Sequence, residues 1–248
     1  MPPEKSADVA TRNRVFYDDL WARTYLTRPE SFNTWPLVSG LLPQAAERLE
    51  VGPGLRPRLP IAGTHFVDLS PPAVARLNQR GGLARSGEIS ALPFGDAAFD
   101  LVLACDVLEH TADDRRAFRE LTRVLRPGGV LVFSVPLHPA QWTVFDDHVG
   151  HARRYAPVEL RELLAAHELH VERSASFGMQ ANNPRLLRFT VRGLTRFPHA
   201  AIRGYNWFFL PLGFLLQKRL GLVDGLIDLE DVHEVLLVCR RQAQLRPS

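Results

Sequence analysis

The chain has 248 residues, 46% of them hydrophobic, and a formal net charge of +3. That is enough apolar material for one substantial core, which excludes a disordered chain, and the two cysteines, Cys105 and Cys239, stand far apart without disulfide-framework, redox or zinc spacing. No apolar run reaches the roughly 20 residues that span a bilayer, and the opening residues mix Glu4, Lys5 and Asp8 with no apolar signal segment, so a cytoplasmic location is expected.

Two helical segments are predicted ahead of the first strand, one over Ala7 to Thr27 and one over Pro36 to Arg48 that Pro43 interrupts. The first sets Phe16, Leu20 and Tyr25 among charged positions. Two readings stand for it: a lid that turns Tyr17 and Trp21 toward a ligand and substrate, or a helix whose rings only pack onto the core.

A short apolar strand, Leu49 and Val51 around Glu50, then breaks into Gly52-Pro53-Gly54, a turn nearly bare of side chains that a ligand can approach closely. A second strand, His65-Phe66-Val67, ends in Asp68, and a third, Phe99 to Ala104, ends near Asp106. Strands that stop at glycine and acidic positions describe a crevice at the carboxyl edge of a parallel sheet. The crevice suits a nucleoside without phosphates: Asp68 can accept from both hydroxyls of a ribose, and Glu50 suits a cationic or amino-bearing group. A pyrophosphate calls for the third glycine of G-x-G-x-x-G and a helix start, whereas Pro57 and Pro60 oppose a helix here. Asp68 also follows Gly54 by only 14 positions, against roughly 20 in the dinucleotide fingerprint.

Beyond Asp68, Ser70-Pro71-Pro72 supplies an N-cap and a prolyl first turn for a helix over Ala73 to Gln79, closed by Gly81-Gly82. Residues 112–126 form an amphipathic helix with Phe118, Leu121, Val124 and Leu125 inward, stopped by Pro127-Gly128-Gly129. Val130 to Val135 is an almost unbroken apolar strand, as a doubly covered parallel sheet requires.

Taken in order, LEVGPG, VDLS, ALPF-x-x-x-x-FDLV (Ala91 to Val102), CDVLEH and ELTRVLRPGGVLVFSVP resemble the successive motifs of the class I S-adenosylmethionine-dependent methyltransferases, of the type-11-like kind, over Leu41 to Met179. The resemblance implies an α/β fold: a Rossmann-like, seven-stranded, mostly parallel sheet with helices on both faces, plus a helical insertion before the last strand. It implies S-adenosylmethionine as cofactor, held by Glu50, Gly52, Pro53, Gly54, Asp68, Leu69, Glu88, Ile89, Cys105 and Asp106. Glu88 and Ile89 fall where the adenine lies, and Cys105 and Asp106 border the methionine moiety. The chain departs from the family at Leu55 to Pro60, where the first helix is usual. Cys105 is read as a small wall residue rather than a nucleophile, and Asp100 and Glu109 as structural charges at a strand edge and a helix start.

After Pro136, VPLHPAQWTVFDDHVGHARRY crowds histidines, acids, arginines and aromatic rings beyond a strand end. It resembles a subgroup of bacterial class I methyltransferases with a tryptophan, an acid and G-H-x-R-R-Y, matched by Trp142, Asp146 or Asp147, and Gly150 to Tyr155. Lipid-linked or cell-envelope acceptors are often linked to that subgroup, and Trp142, Arg154 and Tyr155 are expected at the substrate. Methyl transfer is an in-line displacement on a sulfonium, so the site must chiefly align the partners and exclude water. A base is needed only where the acceptor keeps a proton on oxygen or nitrogen, and His151 or His148 is suited to take it. The alternative is that both histidines only shape the loop. No further ligand set of recognisable spacing joins them, so no metal is expected.

A helix over Pro157 to Ala166 and a strand over His170 to Ser176 follow. From Ser174 to Val223 there is no acid, while Arg185, Arg188, Arg192, Arg196, Arg203, Lys218 and Arg219 localise the basicity. The first four share one helical face, and Trp207 to Leu216 is wholly apolar, interrupted by Pro211 and Gly213. This insertion is expected to roof the acceptor pocket and rest peripherally on an anionic membrane, the alternative being a lid or a dimer contact. Nucleic acid is not expected, since the aromatics lie in apolar runs and no binding module is present. Asp224, Asp228, Glu230, Asp231 and Glu234 read as a solvated turn before a final antiparallel strand at Val235 to Cys239.

One domain over 1–248 is therefore expected, with a helical cap at 7–47, a cofactor-binding core at 48–176, the insertion at 177–232 and the last strand at 233–241. The expected function is methylation of a small hydrophobic or lipid-linked acceptor. A catalytically silent nucleoside-binding module and an NAD-dependent oxidoreductase are the rivals.

Overall fold

The computed structural model describes residues 16–178 and 184–242. Of the first predicted helix, residues 7–15 lie outside the described residues, and the remainder forms α1 (residues 16–23). The second is shorter than its pattern suggested: α2 (Trp35–Leu41) passes into a 3-10 turn at Leu42–Gln44, where Pro43 can sit in the first turn but not continue a helix. There follow β1 (Arg48–Val51), β2 (His65–Asp68), α3 (Pro71–Asn78), β3 (Leu83–Ser86), β4 (Phe99–Cys105), α4 (Asp114–Val124) and β5 (Leu125–Pro136). Next come α5 (Val144–Val149), α6 (Pro157–Ala166), β6 (Leu169–Ser176), α7 (Pro184–Arg196), α8 (Pro198–Gly204) and, through a π-helical turn at Tyr205–Phe209, α9 (Leu210–Leu216). The short β7 (Val223–Asp224) and β8 (Glu234–Arg241) complete the chain.

The strands form one sheet in the order β3-β2-β1-β4-β5-β8-β6-β7. β1 to β5 run parallel and β8 enters antiparallel between β5 and β6. The two-residue β7 at the edge makes eight strands where seven were expected. Side chains alternate across this sheet and both faces are covered. Leu101, Leu103, Val130, Val132, Leu236 and Val238 lie with Leu37 and Val38 of α2, whereas Val102, Ala104, Leu131, Phe133, Val135 and Leu237 lie with Phe118 and Leu121 of α4 and Leu160 and Leu164 of α6.

Between β1 and β2, where the family's first helix is usual, residues 52–64 carry no helix. Leu59 fills part of that missing layer on the α2 side, and Leu55 packs with Leu20 and Trp21 of α1 and Ile202 of α8. The prolyl stretch thus replaces a helix by two buried leucines and a neighbouring segment. Strand order turns back on itself at β1 and β4, which opens a crevice beyond their carboxyl ends.

Candidate active site

The crevice begins where β1 ends. Gly52 and Gly54 have φ of +66° and +54°, and a Cβ would lie 2.6 Å from the Val107 side chain at the first and 2.2 Å from the Trp21 indole at the second. Both conformation and space require glycine there. At the tip of β2, Asp68 accepts from the Gly54 N–H at 2.7 Å and the Ser70 N–H at 2.8 Å, one on each carboxylate oxygen. Burial pushes its carboxyl up to about 6, with the Ser70 and Gly54 bonds working against the rise. Ser70 sits at the predicted N-cap of α3, yet its hydroxyl makes no cap bond. Glu50 accepts from the Arg58 and Leu59 N–H groups at 2.9 to 3.0 Å, so it staples the prolyl loop from below. Burial pushes Glu50 up to about 7 against those bonds.

These residues fit a ribose without phosphates. Each oxygen of an ionised carboxylate has room for a second donor, so Asp68 can hold the corner and still accept from a diol. Leu69 beside it is half exposed, and Pro53 is buried in the turn. At the expected adenine position Glu88 is exposed and takes a bond from the Ser90 hydroxyl, while Ile89 is buried in the core. Cys105 is partly buried, and burial pushes its thiol up. Asp106 has φ of +56°, a left-handed conformation that Asp tolerates, and exchanges hydrogen bonds with Ser134 on β5.

The aromatic residues of α1 lie directly on the glycine corner. Trp21 is buried against Gly54, and Tyr17 stacks on it with ring centroids 5.7 Å apart. The Arg56 guanidinium lies over both Trp21 and Tyr205, at 5.3 and 4.9 Å from their ring centroids. Thr24 donates to the Asn206 side chain, which donates back to the Arg23 carbonyl, so α1 is clamped to the insertion.

Beyond β5, α5 organises the histidine loop. Thr143 and Asp146 form a capping box and Gly150, at φ of +74°, ends the helix. Asp146 also accepts from His151 Nδ1 at 2.8 Å and from Arg154 Nε and Nη2, both at 2.9 Å. Burial opposes the charge, but the bonds from His151, Arg154 and Thr143 outweigh it and hold the Asp146 carboxyl well below the usual range. A carboxylate only accepts, so Nδ1 carries the hydrogen, and Nε2 is the nitrogen left to act as base or ligand. That nitrogen lies 4.0 Å from Glu109, and the His110 ring stands edge-on to His151 at 4.6 Å. Glu109 is 2% exposed and its Oε2 has no hydrogen-bond partner. Burial, then the nearby Asp106 carboxylate, drives Glu109 well above the carboxylate range, and burial with His151 lowers His110 to about 3.

The other expected acceptor residues are distributed unevenly. Trp142 is 38% exposed, its indole N–H donating to Asp147. His148 is edge-on to Phe16 with centroids 5.3 Å apart, and burial lowers it. Arg154 is committed to Asp146, and Tyr155 is buried in the core with its backbone bridged to Leu137, so both are placed in packing. Glu234, expected in a solvated turn, is 7% exposed on β8, its carboxyl group packed over Gly178. Its signal was in the strand period, since Glu234 shares a face with the buried Leu236 and Val238. Arg56 and His110 had no comparable signal.

The model of a methyltransferase domain matches residues 49–133, from Leu49 in β1 to Phe133 in β5. A protein of Mycolicibacterium smegmatis named as a probable S-adenosylmethionine-dependent methyltransferase is 37% identical over 92 residues, covering 36% of this chain and 35% of its own. A demethylmenaquinone methyltransferase of Mycolicibacterium paratuberculosis is 39% identical over 70 residues, covering 27% and 30%. The chain thus spans about a third of the length of these curated relatives. An S-adenosylmethionine-dependent methyltransferase of Thermotoga maritima, 16% identical, superposes with a TM-score of 0.56 over 86% of this chain and 89% of that one, a likeness of fold. The matched segment, residues 49–133, contains the glycine corner, Asp68 and the β4 end that line the crevice, so the crevice is built from the part of the chain that is similar to a methyltransferase domain whose cofactor is S-adenosylmethionine.

Proposed function

We propose that the chain transfers a methyl group from S-adenosylmethionine to a small hydrophobic or lipid-linked acceptor at an anionic membrane surface. The observation that carries this reading is the clamp between two places: Trp21, on the glycine corner, belongs to a helix tied through Asn206 to an insertion whose Trp207, Phe208, Phe209, Leu215 and Leu216 are 68 to 80% exposed. Such a run flanked by Arg196, Arg203, Lys218 and Arg219 has the make-up of an element that lies in a lipid interface. No helix among the described residues is long and apolar enough to cross a membrane.

In this reading Gly52, Pro53, Gly54, Asp68 and Leu69 hold the nucleoside, Glu50 shapes their loop, Cys105 and Asp106 border the methionine moiety, and Tyr17 and Trp21 cover the donor and exclude water. The cofactor supplies a methyl group on a sulfonium. The acceptor lies between Trp142 and the Glu109–His151 cluster, where its proton is lost. His148 serves as a wall.

Calorimetry with S-adenosylmethionine, S-adenosylhomocysteine and NAD, then turnover with hydroxyl-bearing and amine acceptors in anionic vesicles, tests the proposal. The sulfonium donor and its product are expected to bind and NAD is not, and His151→Gln is expected to lower kcat by about 10²–10⁴ with donor affinity retained. Binding of NAD alone reverses the assignment. Donor binding without turnover across the panel points to the silent module.

A further inference from the structure

We propose that Glu109, His110 and His151 form a binding site for one divalent transition-metal cation beside the acceptor. The methyl-transfer reading supplies the cation's purpose, not the grounds for its binding. One ligand atom from each residue lies within 4.8 Å of the other two, although His151 is 41 positions from His110 in sequence. Cations bound at about 2.0–2.2 Å hold neighbouring nitrogen and oxygen ligands about 3–4 Å apart, so small side-chain shifts close the cluster.

Three further observations converge on these residues. Glu109 Oε2 is a buried acceptor without a donor, which is costly unless something positive or hydrogen-bonding faces it. His151 is preset for ligation: Asp146 takes Nδ1–H, leaving the Nε2 lone pair facing Glu109, and Arg154 and Thr143 fix Asp146 in turn. This is the carboxylate–histidine support that orients metal-bound imidazoles. His110 Nδ1 faces the Gly150 carbonyl at 3.2 Å, which likewise leaves its Nε2 lone pair inward, 3.4 Å from the Tyr17 hydroxyl on the covering helix.

Two imidazoles and one carboxylate suit Zn²⁺, Fe²⁺, Co²⁺ or Mn²⁺ better than the all-oxygen preference of Ca²⁺ or Mg²⁺. The acceptor class that such a cation serves is a hydroxyl compound, whose acidity it raises. The O–H bond breaks with its proton passing to solvent. The oxygen's electron pair then forms the bond to the methyl carbon as the C–S bond breaks, and that pair stays on the neutral thioether.

The test titrates the chelator-treated full chain with Co²⁺, followed by visible absorption and competition with Zn²⁺, and measures S-adenosylhomocysteine affinity in the same samples. One equivalent is expected to saturate. Glu109→Gln and His110→Gln, each checked for the native circular dichroism spectrum, are expected to weaken binding at least about tenfold, since loss of even a supporting residue costs about 10–100-fold. No saturable Co²⁺ binding by the native chain overturns the proposal whether or not the variants fold. Unchanged affinity in a folded variant overturns it too and leaves His151 as a metal-free base. Absence of S-adenosylhomocysteine binding with Co²⁺ binding intact refutes the methyl-transfer reading alone.

Discussion

Asp68 has one duty in the fold and a second in the proposed function. It closes the glycine corner through the Gly54 N–H and leaves acceptor capacity for a ribose, and its burial sets when it can do the second. The native carboxyl is raised to about 6, against about 3.9 in an unfolded chain. Between those values the folded protein keeps a proton that the unfolded chain has released, so this residue's contribution to stability declines as pH rises from about 4 to 6 and is level above. Ligand binding runs the opposite way, because only the ionised group accepts from both hydroxyls. S-adenosylhomocysteine affinity is expected to fall by up to about tenfold per pH unit below 6, measured by calorimetry, and Asp68→Asn should bind weakly and lack that slope. Glu50, raised to about 7, titrates in both proteins, and Asp18, whose charge adds to the rise of Asp68, is present in both, so the difference isolates Asp68. A native chain whose affinity is flat from pH 5 to 7 contradicts this account. Asp68 and the glycines were legible in the sequence because position at a strand end is a local property. The partners of Glu50 were not, because the loop that supplies them contains no regular element.

Among the elements, α5 shows how a short helix is held from outside. Six residues are too few to be stable alone, and the carboxylate of its capping box, Asp146 in the first turn, is also the partner of His151 and Arg154. Asp146→Ala takes the carboxylate away from the buried Arg154 guanidinium, a change expected to cost about 3–5 kcal/mol in chemical denaturation. Arg154→Met in the same chain should restore part of it, since the buried charge is then gone. If the single variant melts like the native protein, the ion pair does not hold the loop. The pattern G-H-x-R-R-Y identified this segment as special. That Arg154 donates to Asp146 depends on the chain reversal at Gly150, which spacing alone does not give.

At the scale of the whole molecule, the insertion has two unlike sides. One is tied to the N-terminal segment by Asn206, by Gln217 on Ser31 and Asn33, and by Phe32 edge-on to Phe214. The other exposes aromatic rings without an acid nearby in sequence. Co-sedimentation with anionic vesicles is expected at low salt and should weaken as salt shortens the reach of the arginines to roughly 10 Å at 0.1 M. Trp207→Ser with Phe208→Ser and Phe209→Ser should reduce it further with little change in melting temperature, because the three rings are 68 to 75% exposed. Equal sedimentation with neutral and anionic lipid, or none at all, removes the membrane from the proposed function.

The sequence by itself determined the parallel sheet, the glycine corner, the acid at the second strand tip and the basic, apolar insertion, since each is written in strand period, turn chemistry or composition within a few residues. Only the tertiary structure decided that Trp21 covers Gly54, that Glu234 is buried, and that Glu109 and His110 meet His151. Those facts depend on the parallel pairing of β1 with β4 and on where α1 and α5 dock, which bring together residues tens of positions apart whose local patterns carry no record of one another.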